Sequence, residues 1–440
     1  MNTQPSPFSR RVFLRSGSAA LFAPAIITSS RTLRAAQKAD SSEAIKIGLI
    51  GCGGRGSGAA NQALSAYDKN SRLVAIADVL DTQIDKALAN LQQIHGDRAA
   101  VAPERRYTGL DGFKKLLASD VDVVILATPP GFRPMHLTAA VEAGKHIFCE
   151  KPMAVDPAGY RVAMEAVAKA KEKKLNLVAG FCWRYQPARV EAFQRVHAGD
   201  IGEVVAGSFT YHTGPVKPMP KADTRPAGMA DVEWQVRNWY NFSWLGGDGF
   251  VEQAVHSVDK LCWSMKDIAP LAAVGVGGRQ VPAEGGNIFD HFSVAYEFPG
   301  NVICHMACRQ IPNCHGENAD SVMGTKGKLL IGKAGGGEPM IEGDKRWRYR
   351  KNKSDKDMYQ IEHDVLFEAV RHGGCVNDGE RMMNSTMVGI LGRTAAYTGK
   401  RITWEEIVQS KLDLAPEETL AWGDKFEPTP MPQPGVTKFI

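Results

Sequence analysis

Three groups of residues carry types and spacings that do chemistry. Gly51-Cys52-Gly53-Gly54-Arg55-Gly56 contains the spacing Gly-x-Gly-x-x-Gly. The first glycine permits a tight turn, the second lets backbone approach a diphosphate, and the third lets a helix pack on a sheet. A diphosphate there rests on the unpaired N–H groups of a helix start. Gly54 and Arg55 fill the turn, with Arg55 placed for a phosphate contact. Asp78 follows 27 residues after Gly51. A carboxylate at that point accepts both hydroxyls of a ribose and repels a 2′-phosphate, which favours NAD over NADP.

The second group is Glu252, His256 and Asp259. Spacings of four and three put all three on one face of a helix, and an imidazole that titrates near neutrality suits general acid–base work. The third group is aromatic and polar: Arg184 and Tyr185, then Arg237, Asn238, Trp239, Tyr240 and Trp244. Ring faces that stack on a sugar, beside polar groups that read its hydroxyls, make a carbohydrate pocket; the same residues also suit a domain-interface core. No metal site is expected. Cys304, His305, Cys308, Cys314 and His315 fit no paired Cys-x-x-Cys spacing, and in strand-like sequence alternate residues share a face.

The elements that must position these residues alternate in type. Buried strands are expected at 44–49, 73–77, 121–127 and 146–149, separated by helical stretches at 57–67, 82–94, 110–118 and 136–143. Asp78 then ends the second strand. That alternation argues a doubly wound parallel sheet. A helix at 157–173 and a strand at 176–180 follow, after which the character changes. Strands at 204–211, 292–298, 302–309 and 328–331 read as a mostly antiparallel open sheet with long loops, accompanied by helices at 188–196, 252–265, 361–371 and 384–398. The domain reading is a Rossmann domain over 44–175, a second α/β domain for substrate and oligomerisation over 176–414, and a proline-rich arm over 415–440.

Composition limits the function classes. Of 440 residues, 53 are Lys or Arg and 48 Asp or Glu, a formal net charge of +5. Residues 1–36 hold Arg10, Arg11, Arg15, Arg31 and Arg34 and no acid. The remainder is neutral, so nothing calls for a nucleic-acid partner. Ser9-Arg10-Arg11-Val12-Phe13-Leu14-Arg15, followed by a weakly apolar run, resembles a bacterial twin-arginine export signal. That implies the Tat export machinery as a partner and the periplasm as destination. Eight cysteines would permit disulfides there, though most sit in apolar surroundings.

The segment from Ala140 to Pro152, ending Phe148-Cys149-Glu150-Lys151-Pro152, resembles the Glu-Lys-Pro signature of the Gfo/Idh/MocA oxidoreductases. Thr128-Pro129, Gly180-Phe181-Cys182-Trp183-Arg184-Tyr185, Gly246-Gly247-Asp248 with Glu252 to Asp259, Gly324 to Gly327 and Tyr397 to Lys400 match as well. The resemblance implies a dehydrogenase in which Thr128, Pro129, Glu150 and Lys151 line the cofactor. It places the substrate between the domains and makes the open sheet an oligomer interface, in a homodimer or homotetramer. Lys151 would bind the reacting oxygen and assist proton transfer, with His256 beside it. The family commonly has Asp four residues before such a histidine; here it is Glu252.

A sugar hydroxyl and its carbonyl differ by a hydride and a proton, so the cofactor takes the one and the protein handles the other. Export adds a constraint, because the periplasm has no dependable pool of free NAD. The expected cofactor is therefore tightly bound and regenerated in place. Two functions meet that expectation: a sugar or polyol oxidoreductase, and an NAD-dependent glycoside hydrolase or lyase with no net redox change. A non-catalytic sugar-binding protein is the third alternative, and Lys151 and His256 stand against it.

Overall fold

The computed structural model describes residues 43–281, 285–332, 337–416 and 421–440. The twin-arginine segment, residues 1–36, lies outside them. Six parallel strands form the first sheet: β1 (Ile45–Ile50), β2 (Ser71–Asp78), β3 (Arg106–Thr108), β4 (Val123–Leu126), β5 (His146–Cys149) and β6 (Leu177–Ala179). Their order is β3-β2-β1-β4-β5-β6, so the winding reverses between β1 and β4 and opens a crevice at their carboxyl ends. β4 is buried at all four residues, as a parallel strand covered on both faces must be. Helices α1 (Gly54–Ser65), α2 (Asp81–His95), α3 (Gly112–Leu117), α4 (Arg133–Glu142) and α5 (Pro157–Glu172) cover it. The small residues Ala59, Ala60 and Ala63 let α1 approach the sheet closely. Pro157 opens α5 behind Asp156, whose carboxylate accepts from the Gly159 N–H (2.6 Å).

Two boundaries differ from the sequence reading. The first domain does not end at residue 175, because β6 is the sixth strand of its sheet. Nor is the segment 176–414 one contiguous domain. Of the later helices α6 (Pro187–His197), α7 (Asp231–Arg237), α8 (Ser243–Gly246), α9 (Gly249–Glu252), α10 (Val255–Ser264), α11 (Met358–His372), α12 (Gly379–Thr398) and α13 (Trp404–Gln409), α11 returns to the first domain. Its Leu366, Phe367 and Val370 share a core with Ile47, Leu49 and Phe148.

The second sheet has nine strands among the described residues. They are β7 (Val204–Thr213), β8 (Ala272–Gly278), β9 (His291–Phe298), β10 (Val302–Gln310), β11 (Asp320–Gly324), β12 (Gly327–Gly332), β13 (Gly337–Gly343), β14 (Trp347–Arg348) and β15 (Ile402–Thr403). They run in the order β14-β13-β12-β11-β7-β10-β9-β8-β15, antiparallel except for β7 beside β10. Four of the nine were legible. β8 and β13 escaped because their glycines suppress a strand pattern. On β10, Cys304, Met306 and Cys308 face the core while Ile303 and His305 face outward, which separates the cysteine–histidine cluster. Across the outer face Val274, Val276, Ile303 and Met323 are exposed. No helix among the described residues is long and apolar enough to cross a membrane.

The helix expected from Glu252 to Met265 is broken. α9 ends at Glu252 and α10 starts at Val255, with Gln253 at φ −106° and ψ −49°. Asp248 starts α9 at φ +82°, its carboxylate accepting from the Phe250 N–H (3.4 Å). Glu252 and His256 therefore reach the cleft from two separate turns. The described part of the arm is docked on the second domain. Asn287 Nδ2 donates to Thr429 O (2.8 Å) and Gly435 N to Thr398 O (2.9 Å).

Candidate active site

At the end of β1 the chain turns through Gly51 at φ +94°, where a Cβ would stand 2.6 Å from the Ala127 carbonyl carbon. A Cβ on Gly56 would lie 1.8 Å from Gly51 O, so α1 can dock there only without a side chain. Gly53 and Gly54 are the reverse case, with open space within 4 Å of where a Cβ would sit. No side chain caps α1 and no acid lies in its first turn, leaving its N-terminal donors for an anion. Asp78 stands beside this turn, its two oxygens accepting from Cys52 N (2.7 Å) and Leu80 N (3.0 Å). Burial raises its pKa and those N–H groups oppose the rise. Across the crevice, Thr128 N would be 2.7 Å from a Gly51 Cβ, and Thr128 Oγ pairs with His136 Nδ1 (3.0 Å); Pro129 follows at the rim. Open cradle, free donors and ribose acceptor fit a dinucleotide.

Arg55 is a correction. Its Nε donates to Glu150, Nη2 to Glu362 Oε1 (3.3 Å) and Nη1 to Gln62 Oε1 (3.2 Å), and it lies 4.9 Å from the Tyr359 ring. Two buried carboxylates hold the guanidinium where the sequence suggested a phosphate contact. Glu150 is correspondingly engaged, taking Arg55 on one oxygen and Lys151 N (3.2 Å) on the other. Both of its oxygens are thus held at the strand end.

Lys151 follows β5, and its Nζ donates to Glu252 O and to Glu252 Oε1 (3.1 Å). Both side chains are about nine-tenths buried. The other Glu252 oxygen, Oε2, and His256 Nδ1 are buried without a partner. Such atoms are costly to leave unmet, and a substrate hydroxyl would satisfy them. The His256 ring stacks near Trp183 (5.8 Å, 26°) with Phe181 edge-on (6.2 Å). Burial, then Lys151, Lys260 and Arg55, hold its pKa well below 6.5, so the imidazole is neutral at neutral pH.

Five other sequence candidates are placed elsewhere. Arg184 and Asp259 form a buried pair, with Arg184 Nε 2.9 Å from Asp259 Oδ2 and Nη2 2.9 Å from Oδ1. Arg184 also grips Asp267, and Asp259 accepts from Ser385 Oγ (2.7 Å). Neither keeps a group for substrate, so Arg184 loses its sugar-binding role and Asp259 its catalytic one. The Tyr185 hydroxyl donates to Asp378 Oδ2 (2.5 Å) and accepts from Arg381 (3.2 Å). Arg237 is exposed and paired with Glu233 (2.7 Å). Trp239 is half-buried at the edge of an aromatic cluster around Trp244.

Two features went unread. Lys260 lies 3.8 Å above the Trp183 ring and pairs with fully buried Asp320; burial lowers its pKa to about 8. Its position among Val258, Leu261 and Cys262 was the available signal, since a lysine on an apolar face needs a partner. Glu362 and His363 had none, because nothing local places α11 behind the nucleotide loop.

Residues 45–181 match the oxidoreductase family with NAD-binding Rossmann fold, GFO_IDH_MocA, and residues 190–330 match the GFO/IDH/MocA C-terminal domain, more than half of the chain between them. Inositol 2-dehydrogenase 4 of Saccharopolyspora erythraea is 32% identical over 162 residues, 37% of this chain and 44% of that one, so the match spans under half of that relative. An inositol 2-dehydrogenase of Rubrobacter xylanophilus is 25% identical over 296 residues, 66% of this chain and 72% of that one. Levoglucosan dehydrogenase, in complex with NADH and levoglucosan, superimposes with a TM-score of 0.63 at 18% identity, covering 82% of this chain and 99% of that one. That likeness shows the fold.

Proposed function

Because the chain belongs to the Gfo/Idh/MocA oxidoreductase family, with its NAD-binding Rossmann domain, we propose that it interconverts a hydroxyl and a carbonyl on a sugar or polyol. NAD, when bound, supplies the hydride acceptor or donor. The chain's own residues manage the proton. Lys151 Nζ, held by the Glu252 carbonyl and carboxylate, donates to the reacting oxygen and stabilises charge as it develops there. His256 is neutral and offers an unpartnered Nδ1, so it accepts the proton that leaves the hydroxyl. Glu252 Oε2 accepts from a neighbouring hydroxyl and fixes the ring's orientation. The observation that carries this reading is a buried ammonium paired with Glu252 and near enough to His256 to depress its pKa, beside two buried side-chain atoms, Glu252 Oε2 and His256 Nδ1, that have no partner.

The test is mass spectrometry of nucleotide in the purified protein, then a screen of sugars and polyols for reduction of bound NAD. Reduction by one of them, lost in Lys151→Ala while nucleotide is retained, is the expected result. Cleavage of a glycoside with no net change in nicotinamide absorbance would replace this reading by hydrolysis. Tight retention of NAD fits export through the twin-arginine route to the periplasm, which Arg10→Lys with Arg11→Lys should abolish in cell fractionation. Exposed Val274, Val276, Ile303 and Met323 on the open sheet support a homo-oligomer. Light scattering should give a dimer or tetramer, and Val276→Lys should weaken it.

A further inference from the structure

The arm lies on the rim of the dinucleotide crevice through a chain of contacts. Val79, which directly follows the ribose acceptor Asp78, and Phe132, three residues beyond Pro129, both pack on an aromatic cluster of Val232, Val236, Phe242, Trp244 and Leu245. The apposition is close, since a Cβ on Gly131 would fall 2.2 Å from Trp244 O, and the Phe132 and Trp244 rings stand 6.1 Å apart at 81°. Phe426 of the arm also packs on Trp244, 5.4 Å away at 78°. Polar contacts fasten it. Trp244 Nε1 donates to Gln235 Oε1 (2.7 Å), Gln235 Nε2 donates to Phe426 O (2.6 Å), and Phe426 N donates to Asp231 Oδ2 (3.2 Å). Val232 N also donates to Asp424 O (3.3 Å), and Trp422 joins the cluster.

The carboxylate after the second strand of such a sheet takes the ribose hydroxyls, so Val79 and Phe132 flank the adenosine half of the crevice. We propose that residues 421–426, acting through Trp244, are a strap that walls this half and slows nucleotide release. Phe426 and Trp422 are positioning residues for the cofactor and touch no reacting atom. The inference rests on the NAD-dependent reading above and adds the means by which an exported enzyme keeps its cofactor. Both rings are half-buried at the surface, so their removal leaves the main core intact.

The experiment loads full-length protein with NADH and follows release by nicotinamide fluorescence after dilution, in wild type, Phe426→Ala and Trp422→Ala. Release at least tenfold faster in either variant, with the sugar KM and the turnover of loaded protein unchanged, supports the strap. Equal release in all three overturns it, provided tryptophan fluorescence reports the lost contact at Trp244. The two ideas fail separately. Wild type that arrives empty, yet releases added NADH more slowly than the variants, keeps the strap and removes the resident cofactor. Wild type that binds no NADH removes both.

Discussion

Substituting Glu252 tests the centre of the proposed site. Its carboxylate lies 3.1 Å from Lys151 Nζ, and the two side chains are only 12% and 9% exposed. Unit charges at that separation attract by about 5 kcal/mol at an effective dielectric of about 20. Desolvation offsets most of this in the intact pair, but removing one partner leaves the other charge stranded, at a cost of about 3–5 kcal/mol. Glu252→Ala should lose that much stability, since only the backbone carbonyl would still hold the ammonium. Glu252→Gln keeps an oxygen acceptor without the charge and should fall between. Turnover should drop by about 10²-fold in both, the usual effect of a reacting group displaced by about 1 Å. Urea unfolding at constant m, beside steady-state kinetics at saturating sugar, separates the two effects. Glu252→Ala with wild-type stability and wild-type kcat would refute the pairing and the positioning of Lys151 together.

Other outcomes follow from the nucleotide loop and the buried histidines. Gly56→Ala should fail to fold or melt far below wild type, its Cβ meeting Gly51 O at 1.8 Å, whereas Gly53→Ala should fold normally and lose nucleotide affinity; thermal melts and calorimetric titration distinguish them. Asp78→Ala should weaken NAD about tenfold or more, the worth of a hydrogen bond to a charged group, while narrowing the gap to NADP; titration with both nucleotides decides. His363 is fully buried, with both ring nitrogens unpartnered, and burial followed by Arg55 holds its pKa well below 6.5. Its folded pKa is depressed, so its contribution is intact above the unfolded value and is lost as pH falls below about 6.5. His363→Leu should therefore gain about 1.4 kcal/mol on wild type at about pH 5.5 relative to about pH 7.5. Parallel urea curves at the two pH values would show that this imidazole is not held neutral.

Local physics made the first domain and part of the site legible. Glycine spacing after a buried strand is a backbone requirement, and Gly51 and Gly56 meet it through contacts with their immediate neighbours and β4. Asp78 ends its strand, and Lys151 follows one whose four residues are all buried. Periodicity could carry the reader that far because each strand's burial pattern is written in its own residues. It failed where partners are distant in sequence. Arg184 and Tyr185 looked free until Asp259, Asp267 and Asp378 were brought to them. Arg55 turned from phosphate to Glu150 and Glu362, the latter 307 residues away. Equal helical spacing of Glu252 and His256 misled because Gln253 and Ala254 break the helix. The sequence by itself determined the nucleotide fold, its cradle and the lysine beside it. Tertiary structure alone decided which charged groups are tied to one another and which buried polar atoms keep no partner, because a buried charge takes whatever opposite partner folding brings within reach, and chain order does not encode that distance.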